Sequence, residues 1–492
     1  MIVQTLPFQT LITINKDAPL PVYEQIANGI INLIRAGKIQ PGYNLPPSRQ
    51  MAALLNVHRK TVLAAYEELS TQDWITSLPR KGMTVSLTLP DYKPLNFAAE
   101  QQPVQYSHQT PDIFITNNRA AAPVEKKNIY RMAVNDGFPD ARIAPVDTLL
   151  KQYNSFLQKS YVQGLFMHGD AAGSFNLRHE IAAFLLHTRG IRVETGNILI
   201  TRGAQMAIYI AASRLLKPGS TVIVGEPGYS MANKIFEHFG ATLLRVPVDE
   251  NGIDVDAIEQ LCKQQKPDLL YIIPHHHHPT TVTLSAERRT KLLQLISTYS
   301  LPVIEDDYDY DFHYNKSPLL PLASANTNGY VLYIGSVTKS FASAVRIGYL
   351  IGGANLIAEA ASIRELIDIR GDVLMEEALA VLYKNGTMYK HLNKAVKLYR
   401  SRRDSFCELL HSHLDGMITF VKPQGGMAVW VKFNKEYNLA EIAGKMAQEG
   451  IYINDGSIYN CGNINHNALR MGFASMNMTE MEELIKTLKQ FK

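Results

Sequence analysis

The sequence predicts an α/β protein in which a mainly parallel sheet is layered with helices, preceded by a small helical unit that ends in a β-hairpin. Three observations lead there. From about Asn135 onward, short apolar runs alternate with amphipathic stretches, the pattern of successive βαβ units. Before residue 89, apolar residues recur at helical spacing in three short segments, and two alternating runs follow them. Between the two regions, Pro90, Pro94, Pro103, Pro111 and Pro123 lie among Gln, Thr, Asn and Ala with no sustained apolar period, which is linker composition. The expected division is therefore a head at 14–88, a linker at 89–130, a large domain at 131–354 and a small carboxy-terminal domain at 355–492.

Composition sets the outer bounds. Hydrophobic residues make up 46% and charged residues 19% of the 492, enough core material for several globular units. No basic stretch precedes an apolar one at the amino terminus, and no run of 18 apolar residues occurs, so a cytoplasmic protein with no membrane span is expected. The cysteines Cys262, Cys407 and Cys461 are scattered and odd in number, which suits a reducing compartment and neither a disulfide framework nor a zinc site. The net charge of +4 is uneven. Residues 1–90 hold eight Lys/Arg against five Asp/Glu, leaving 41 against 40 for the rest, a mild pointer to a polyanionic partner of the head.

In the head, Val22, Ile26, Ile30, Leu33 and Ile34 predict a helix over 21–36, with Gly37 to end it. Ser48 is placed to cap a second helix over 49–55, and Asn56 tolerates the left-handed turn after it. A third helix over 58–70 buries Val62, Ala65, Tyr66 and Leu69 and leads with His58, Arg59, Lys60 and Thr61. The runs 74–77 and 83–87 flank a tip carrying Arg80 and Lys81. Three helices with a tight turn before the third, then a basic hairpin, form a winged helix-turn-helix. Arg49, His58, Arg59, Lys60, Thr61, Arg80 and Lys81 fall where such a unit meets double-stranded DNA; a helical dimerisation module with solvated charges is the plainer alternative.

In the body, the strand 198–200 runs into Gly203-Ala204-Gln205 at the start of a helix over 206–216, where free backbone N–H groups make a phosphate site. The strand 221–224 ends at Glu226-Pro227-Gly228-Tyr229, placing Tyr229 at the sheet's carboxyl edge, to cover a flat ring or to pack in the core. The strand 269–273 leads to four consecutive histidines. In an extended chain His275 and His277 point away from His276 and His278, so no metal site is expected. The strand 302–305 ends in Asp306-Asp307-Tyr308-Asp309, carboxylates beside an aromatic hydroxyl, suited to a pyridine nitrogen and a phenolate. The strand 330–334 delivers Lys339 to a Ser/Thr-rich turn, Gly335 to Gly348, with Ser336, Thr338 and Arg346 nearby. A lysine in apolar surroundings is partly neutral and forms Schiff bases, while hydroxyls and a guanidinium bind phosphate. Helices over 355–369, 375–384 and 390–414, then an alternating strand over 426–433, complete the chain.

The segment from Pro19 to Ile75 resembles the DNA-binding domain of GntR-type bacterial regulators, and the body resembles a fold-type I aminotransferase that uses pyridoxal 5′-phosphate (PLP). Together they resemble the MocR-type subgroup. That resemblance implies that Lys339 holds PLP, that Asp306 pairs with its pyridine nitrogen and that Tyr308 contacts its 3′-oxygen. It further implies that Ser336, Arg346 and the Ala204-Gln205 amides hold the phosphate, with Thr338 beside them on the same turn, and that Tyr229 stacks on the ring. His278 takes the place of an asparagine that donates to the 3′-oxygen, and Arg470 matches the arginine that grips an amino-acid carboxylate. Two further departures are His58, where the family places a capping serine, and His168, where a tyrosine usually reaches the partner subunit's phosphate. The implied function is transcription regulation by a head-to-tail homodimer that senses PLP or an amino-acid-like effector through Schiff-base chemistry at Lys339. A working aminotransferase that carries a DNA-binding head, with full or partial turnover, uses the same residues and stays open as the alternative.

Overall fold

The structure is a computed structural model of the chain; it describes residues 6–78, 82–89, 130–157, 169–314, 319–325 and 327–492. The chain divides into two compact units, Met1–Pro123 and Val124–Lys492.

In the first unit, helices Val22–Arg35, Ser48–Leu55 and Arg59–Thr71 precede β1 (Ile75–Leu78) and β2 (Gly82–Val85), which pair antiparallel from Ile75↔Val85 to Leu78↔Gly82. Ile26, Ile30, Met51, Val62, Tyr66 and Leu69 form one core, the positions picked out by their spacing. Asn56 is left-handed at φ 51°, as a tight interhelical turn requires. Two details differ from expectation. The second helix begins at Ser48 behind Pro47, so Ser48 caps nothing; its Oγ accepts instead from Arg59 Nε at 3.3 Å. Phe8 opens an unforeseen turn of helix, Phe8–Leu11, and is fully buried in the same core. The Tyr66 hydroxyl donates to the Pro46 carbonyl at 2.7 Å and ties the third helix to the loop before the second.

The second unit opens with β3 (Met132–Ala133) and contains an eight-stranded sheet. Its strands are β4 (Ile198–Thr201), β5 (Thr221–Glu226), β6 (Thr242–Asp249), β7 (Gly252–Ile253), β8 (Leu269–Ile272), β9 (Val303–Asp307), β10 (Val331–Ser336) and β11 (Gly348–Ile351). They lie in the order β4-β11-β10-β9-β8-β5-β6-β7. The run β10-β9-β8-β5-β6 is parallel, while β11 is antiparallel to both its neighbours. Apolar clusters cover both faces, one around Leu199, Ile208, Phe236 and Ile334 and another around Ile223, Leu270, Leu292 and Val303. This is the layered arrangement that continuous apolar strands demand.

Toward the carboxyl end, β12 (Ile418–Phe420), β13 (Ala428–Phe433) and β15 (Ala468–Gly472) form an antiparallel sheet, and β14 (Ile451–Tyr452) pairs parallel with β3. β13 does not alternate as its sequence suggested: every residue except Lys432 is buried, because both faces of this small sheet are covered. A single core runs through Tyr333, Phe341, Leu410, Val429 and Leu484, so the long helix Thr387–Leu414 and the small sheet pack on the same apolar body as β10. Cys262 and Cys407 are buried within their helices and, with Cys461, are free thiols.

Candidate functional site

Parallel strands leave the ends of β4, β5, β8, β9 and β10 on one edge, and loops from that edge close a cavity of about 220 Å³. Lys339, Asp306, Tyr308, Tyr229, Ser336, Thr338, Arg346, Ala204, Gln205 and His278 all line it. The residues named from sequence across some 140 positions are thus gathered in one chamber. Three further lining residues, Asp136, Phe138 and Ile273, were not singled out. Asp136 and Phe138 belong to a loop about 200 residues before Lys339, whose one local signal is the pair Asp136-Gly137 two residues before Pro139.

Lys339 lies in the four-residue helix Val337–Ser340, which springs directly from β10. Its Nζ donates to the Gly137 carbonyl at 2.8 Å and lies 3.8 Å from the centre of the Phe138 ring. Burial lowers its pKa to about 8 against the opposing pull of Asp136. Asp306 is 2% exposed and accepts from the Tyr271 hydroxyl at 2.7 Å through Oδ2, while its Oδ1 is buried without a partner. Burial raises its pKa to about 7. The neighbouring carboxylates face away. Glu305 accepts from the Leu322 and Ala323 amides at 2.7 and 2.8 Å, Asp307 accepts from the Tyr333 hydroxyl at 2.9 Å, and Asp309 meets His276 at 2.9 Å.

The end of the cavity at Gly203 is built largely from backbone. Gly203 precedes helix Ala204–Leu215 at φ 83°, and a Cβ there would sit 3.0 Å from Arg346 Nη2, so the guanidinium lies directly on the glycine. Arg346, itself left-handed at φ 52°, donates to the Arg202 carbonyl at 3.1 Å. A helix N-terminus beside a guanidinium is an anion site. Gly203→Val is therefore expected to weaken PLP binding by about tenfold or more while leaving the head untouched; equilibrium titration followed by the absorbance of bound PLP measures it.

The four histidines turn instead of running extended, with His276 at φ 49°, so the alternation expected of them does not hold. Each has a separate partner. His275 Nε2 meets the Leu319 carbonyl at 2.8 Å, His276 Nδ1 meets Asp309, His277 Nδ1 meets Thr280 Oγ1 at 2.9 Å and His278 Nε2 meets Asp136 Oδ2 at 3.0 Å. Among the described residues no group of three or more metal-ligating side chains is placed to hold an ion. Tyr229 donates to Gln205 Oε1 at 3.1 Å and meets the His278 ring edge-on, centroids 5.0 Å apart.

Arg470 is brought near but not into this lining. It is 2% exposed, and its guanidinium donates to the Asp136 carbonyl at 2.7 Å, the Pro279 carbonyl at 3.4 Å and the Tyr308 hydroxyl at 3.0 Å. Tyr308 in turn donates to the His276 carbonyl at 2.9 Å.

In the head, Arg49, His58, Arg59 and Lys60 are exposed and Thr61 partly so, at the starts of the second and third helices. His58 does cap the third helix: its Nδ1 accepts from the Lys60 backbone N–H at 3.2 Å, doing what the expected serine would do. Arg80, Lys81, His168 and most of the linker lie outside the described residues.

The orphaned Asp306 oxygen, the partly neutral Lys339 amine and the Gly203 cradle fit the pyridine, the aldehyde and the phosphate of PLP. Fold and site together define a PLP-dependent aminotransferase body joined to a helix-turn-helix head. Comparison with known proteins agrees: residues 133–488 match the family "Aminotransferase class I and II", and residues 22–85 match "Bacterial regulatory proteins, gntR family". The chain belongs to the class I and II aminotransferase family and, with its gntR-type head, has the two-part make-up of the MocR-type transcription regulators.

It is similar to the uncharacterized HTH-type transcriptional regulator YdeL of Bacillus subtilis, 27% identical over 97% of this chain and 98% of that one. It is also similar to the probable rhizopine catabolism regulatory protein MocR of Rhizobium meliloti, 25% identical over 86% and 84%. Among solved structures, an archaeal alanine:glyoxylate aminotransferase is 30% identical, with a TM-score of 0.68 over 73% of this chain and 90% of that one. The multiple substrate aminotransferase of Thermococcus profundus shares the fold, with a TM-score of 0.70 over 77% and 97% at 24% identity. No helix among the described residues is long and apolar enough to cross a membrane.

Proposed function

We propose that this chain is a transcription regulator of the cytoplasm whose body binds PLP at Lys339 and reports an amine-type effector, or PLP itself, to a head that reads an operator. The observation that carries the reading is the convergence of Lys339, Asp306 and the Gly203–Arg346 cradle on one cavity in a chain that also bears the capped, basic helix Arg59–Thr71. Held there, PLP supplies an aldehyde that condenses with primary amines.

The chain's own residues do the rest. Arg346 and the amides of Ala204 and Gln205 hold the phosphate; Asp306 accepts from the protonated pyridine nitrogen; Tyr308 and His278 flank the phenolic oxygen; Tyr229 covers the ring. Lys339 supplies the amine, and its pKa, lowered to about 8 by burial, keeps far more of it neutral near pH 7.5 than an ordinary lysine. Lys339 Nζ donates to the Gly137 carbonyl, in the loop that also carries Asp136 and Phe138, only while its amine is free, so a ligand that took its place on PLP would let that bond form again and give the body different contacts in its two states. Only such a difference shifts a conformational equilibrium. Ser336 and Thr338 border the phosphate end, and Arg470 orders the loop through the Asp136 carbonyl. A head-to-tail homodimer, with the head at 14–88, the linker at 89–130 and the body's domains at 131–354 and 355–492, is the assembly we expect to present two heads to paired half-sites.

The test separates regulator from enzyme. Incubated with amino acids and 2-oxo acids, the PLP-loaded chain is expected to show at most one turnover while operator affinity changes; sustained turnover with no change in operator affinity would refute the reading. Arg59→Ala is expected to weaken operator binding by about tenfold and flatten its salt dependence, without altering the absorbance of bound PLP. A fluorescence-anisotropy titration beside the spectrum checks it, and joint loss of both signals would mean that the head is misassigned.

A further inference from the structure

The long helix Thr387–Leu414 carries charges that neither the fold nor the cofactor site uses. Between Glu377 and Asp404 the chain has seven Lys/Arg and no Asp/Glu, although beyond residue 90 the two kinds number 41 and 40 in all. Two of the seven are neutralised: Arg402 meets Asp140 at 2.8 Å and Arg403 meets Asp404 at 2.7 Å. The other five, Lys384, Lys390, Lys394, Lys397 and Arg400, are exposed, and none has a carboxylate partner among the described residues.

Four of them share one face. At about 100° per residue, Lys390, Lys394, Lys397 and Arg400 lie within an arc of about 120° and along about 15 Å of helix. The opposite face is buried: Leu392, Ala395, Tyr399 and Phe406 belong to the core shared with β10. The stripe works against the helix that bears it. Lys390/Lys394, Lys394/Lys397 and Lys397/Arg400 are like charges four or three residues apart, and Lys390 stands in the first turn, where the helix dipole disfavours a cation. Apolar packing therefore holds this helix in spite of its charges, whereas a face that only meets water ordinarily interleaves both signs.

We propose that this stripe is a second DNA contact, carried by the body, which grips the phosphate backbone of the duplex that the head holds. A double helix carries about one negative charge per 1.7 Å of axis, so a straight run of cations about 15 Å long meets phosphates along its whole length. Such contacts position a duplex without reading its sequence. DNA held by the head is also at high local concentration for the body of the same chain, an advantage that a separate acidic protein or a membrane surface lacks. The inference rests on the head as a DNA-binding unit and adds a second surface to it.

The test uses the full PLP-loaded chain and a random-sequence duplex of about 60 base pairs, since phosphate contacts are independent of sequence; fluorescence anisotropy follows the affinity over a range of salt. With Lys390, Lys394, Lys397 and Arg400 all changed to glutamine, binding is expected to weaken by about tenfold or more. The slope of log affinity against log salt should become shallower by about 3. Lys394→Gln combined with Lys397→Gln should remove about half as much slope, and Lys390→Arg, Lys394→Arg and Lys397→Arg together, which keep the charge, should remove none. The absorbance of bound PLP and the melting temperature should hold in each variant, which separates lost contacts from lost structure. An unchanged slope in either glutamine variant would overturn the proposal, and so would a glutamine variant that loses phosphatidylserine vesicles and keeps the duplex. Should the fourfold variant not fold, the double variant decides. Failure of the head reading has a different signature: Arg59→Ala leaves affinity for the duplex as it is.

Discussion

Lys339→Ala is expected to abolish covalent attachment of PLP. Borohydride reduction of the PLP-treated chain followed by intact-mass measurement should show the cofactor's increment on the unaltered protein and none on K339A. Circular dichroism should be unchanged, because the alanine only truncates a side chain in a four-residue helix whose neighbours Val337, Thr338 and Ser340 keep their burial. The effect is all or none for a physical reason. The reactive amine must be uncharged and at the aldehyde, and Lys339 is the lysine that lines this cavity, its pKa brought to about 8 by burial. The response of operator binding to ligand should vanish with it, and an equal mass increment on K339A would show that another lysine is the attachment point.

Asp306→Asn is expected to act with opposite signs in the two states of the protein. Without cofactor, the carboxyl is buried with one oxygen unpaired and its pKa is raised to about 7, above its value in an unfolded chain. A raised carboxyl favours the native state below the unfolded pKa near 4, and that advantage is lost as pH rises through 7. At pH 8 the ionised group then costs at most about 4 kcal/mol, and Asn, which can still accept from the Tyr271 hydroxyl, removes that cost. Cofactor-free D306N should therefore melt higher than the unaltered chain at pH 8 and with no such advantage at pH 4. With PLP the order reverses. The carboxylate is then the acceptor for a pyridinium, a charge-assisted bond, and its loss should weaken PLP binding by about 10- to 100-fold. Calorimetric scans at the two pH values, with and without PLP, give both signs; weaker melting of the cofactor-free variant at pH 8 would show that Asp306 is stabilised as an anion by groups other than the cofactor.

The two halves of the chain were legible to different degrees. The head follows from local rules: helical spacing of Ile26, Ile30, Val62 and Leu69, the left-handed Asn56 and the basic start of the third helix all recur where expected, because each depends on residues within a few turns. Ser48 misled for the same reason, since Pro47 can precede a helix without any side-chain cap. In the body, the apolar strands and the polar residues directly after them marked Tyr229, Asp306, Tyr308 and Lys339, since side chains at the ends of parallel strands necessarily share an edge.

What the sequence by itself determined is this periodic framework and the chemistry delivered at its strand ends. Tertiary structure alone decided what faces that chemistry. Asp136 meets His278 across 142 positions and Lys339 meets Gly137 across 202, contacts that no spacing rule reaches. Arg470 could be matched to a carboxylate grip by motif, but its contacts with the Asp136 and Pro279 carbonyls and the Tyr308 hydroxyl come only from folding. The reason is general: backbone preference and apolar period are properties of neighbours along the chain, whereas the charge and accessibility of a site are sums over everything folded around it.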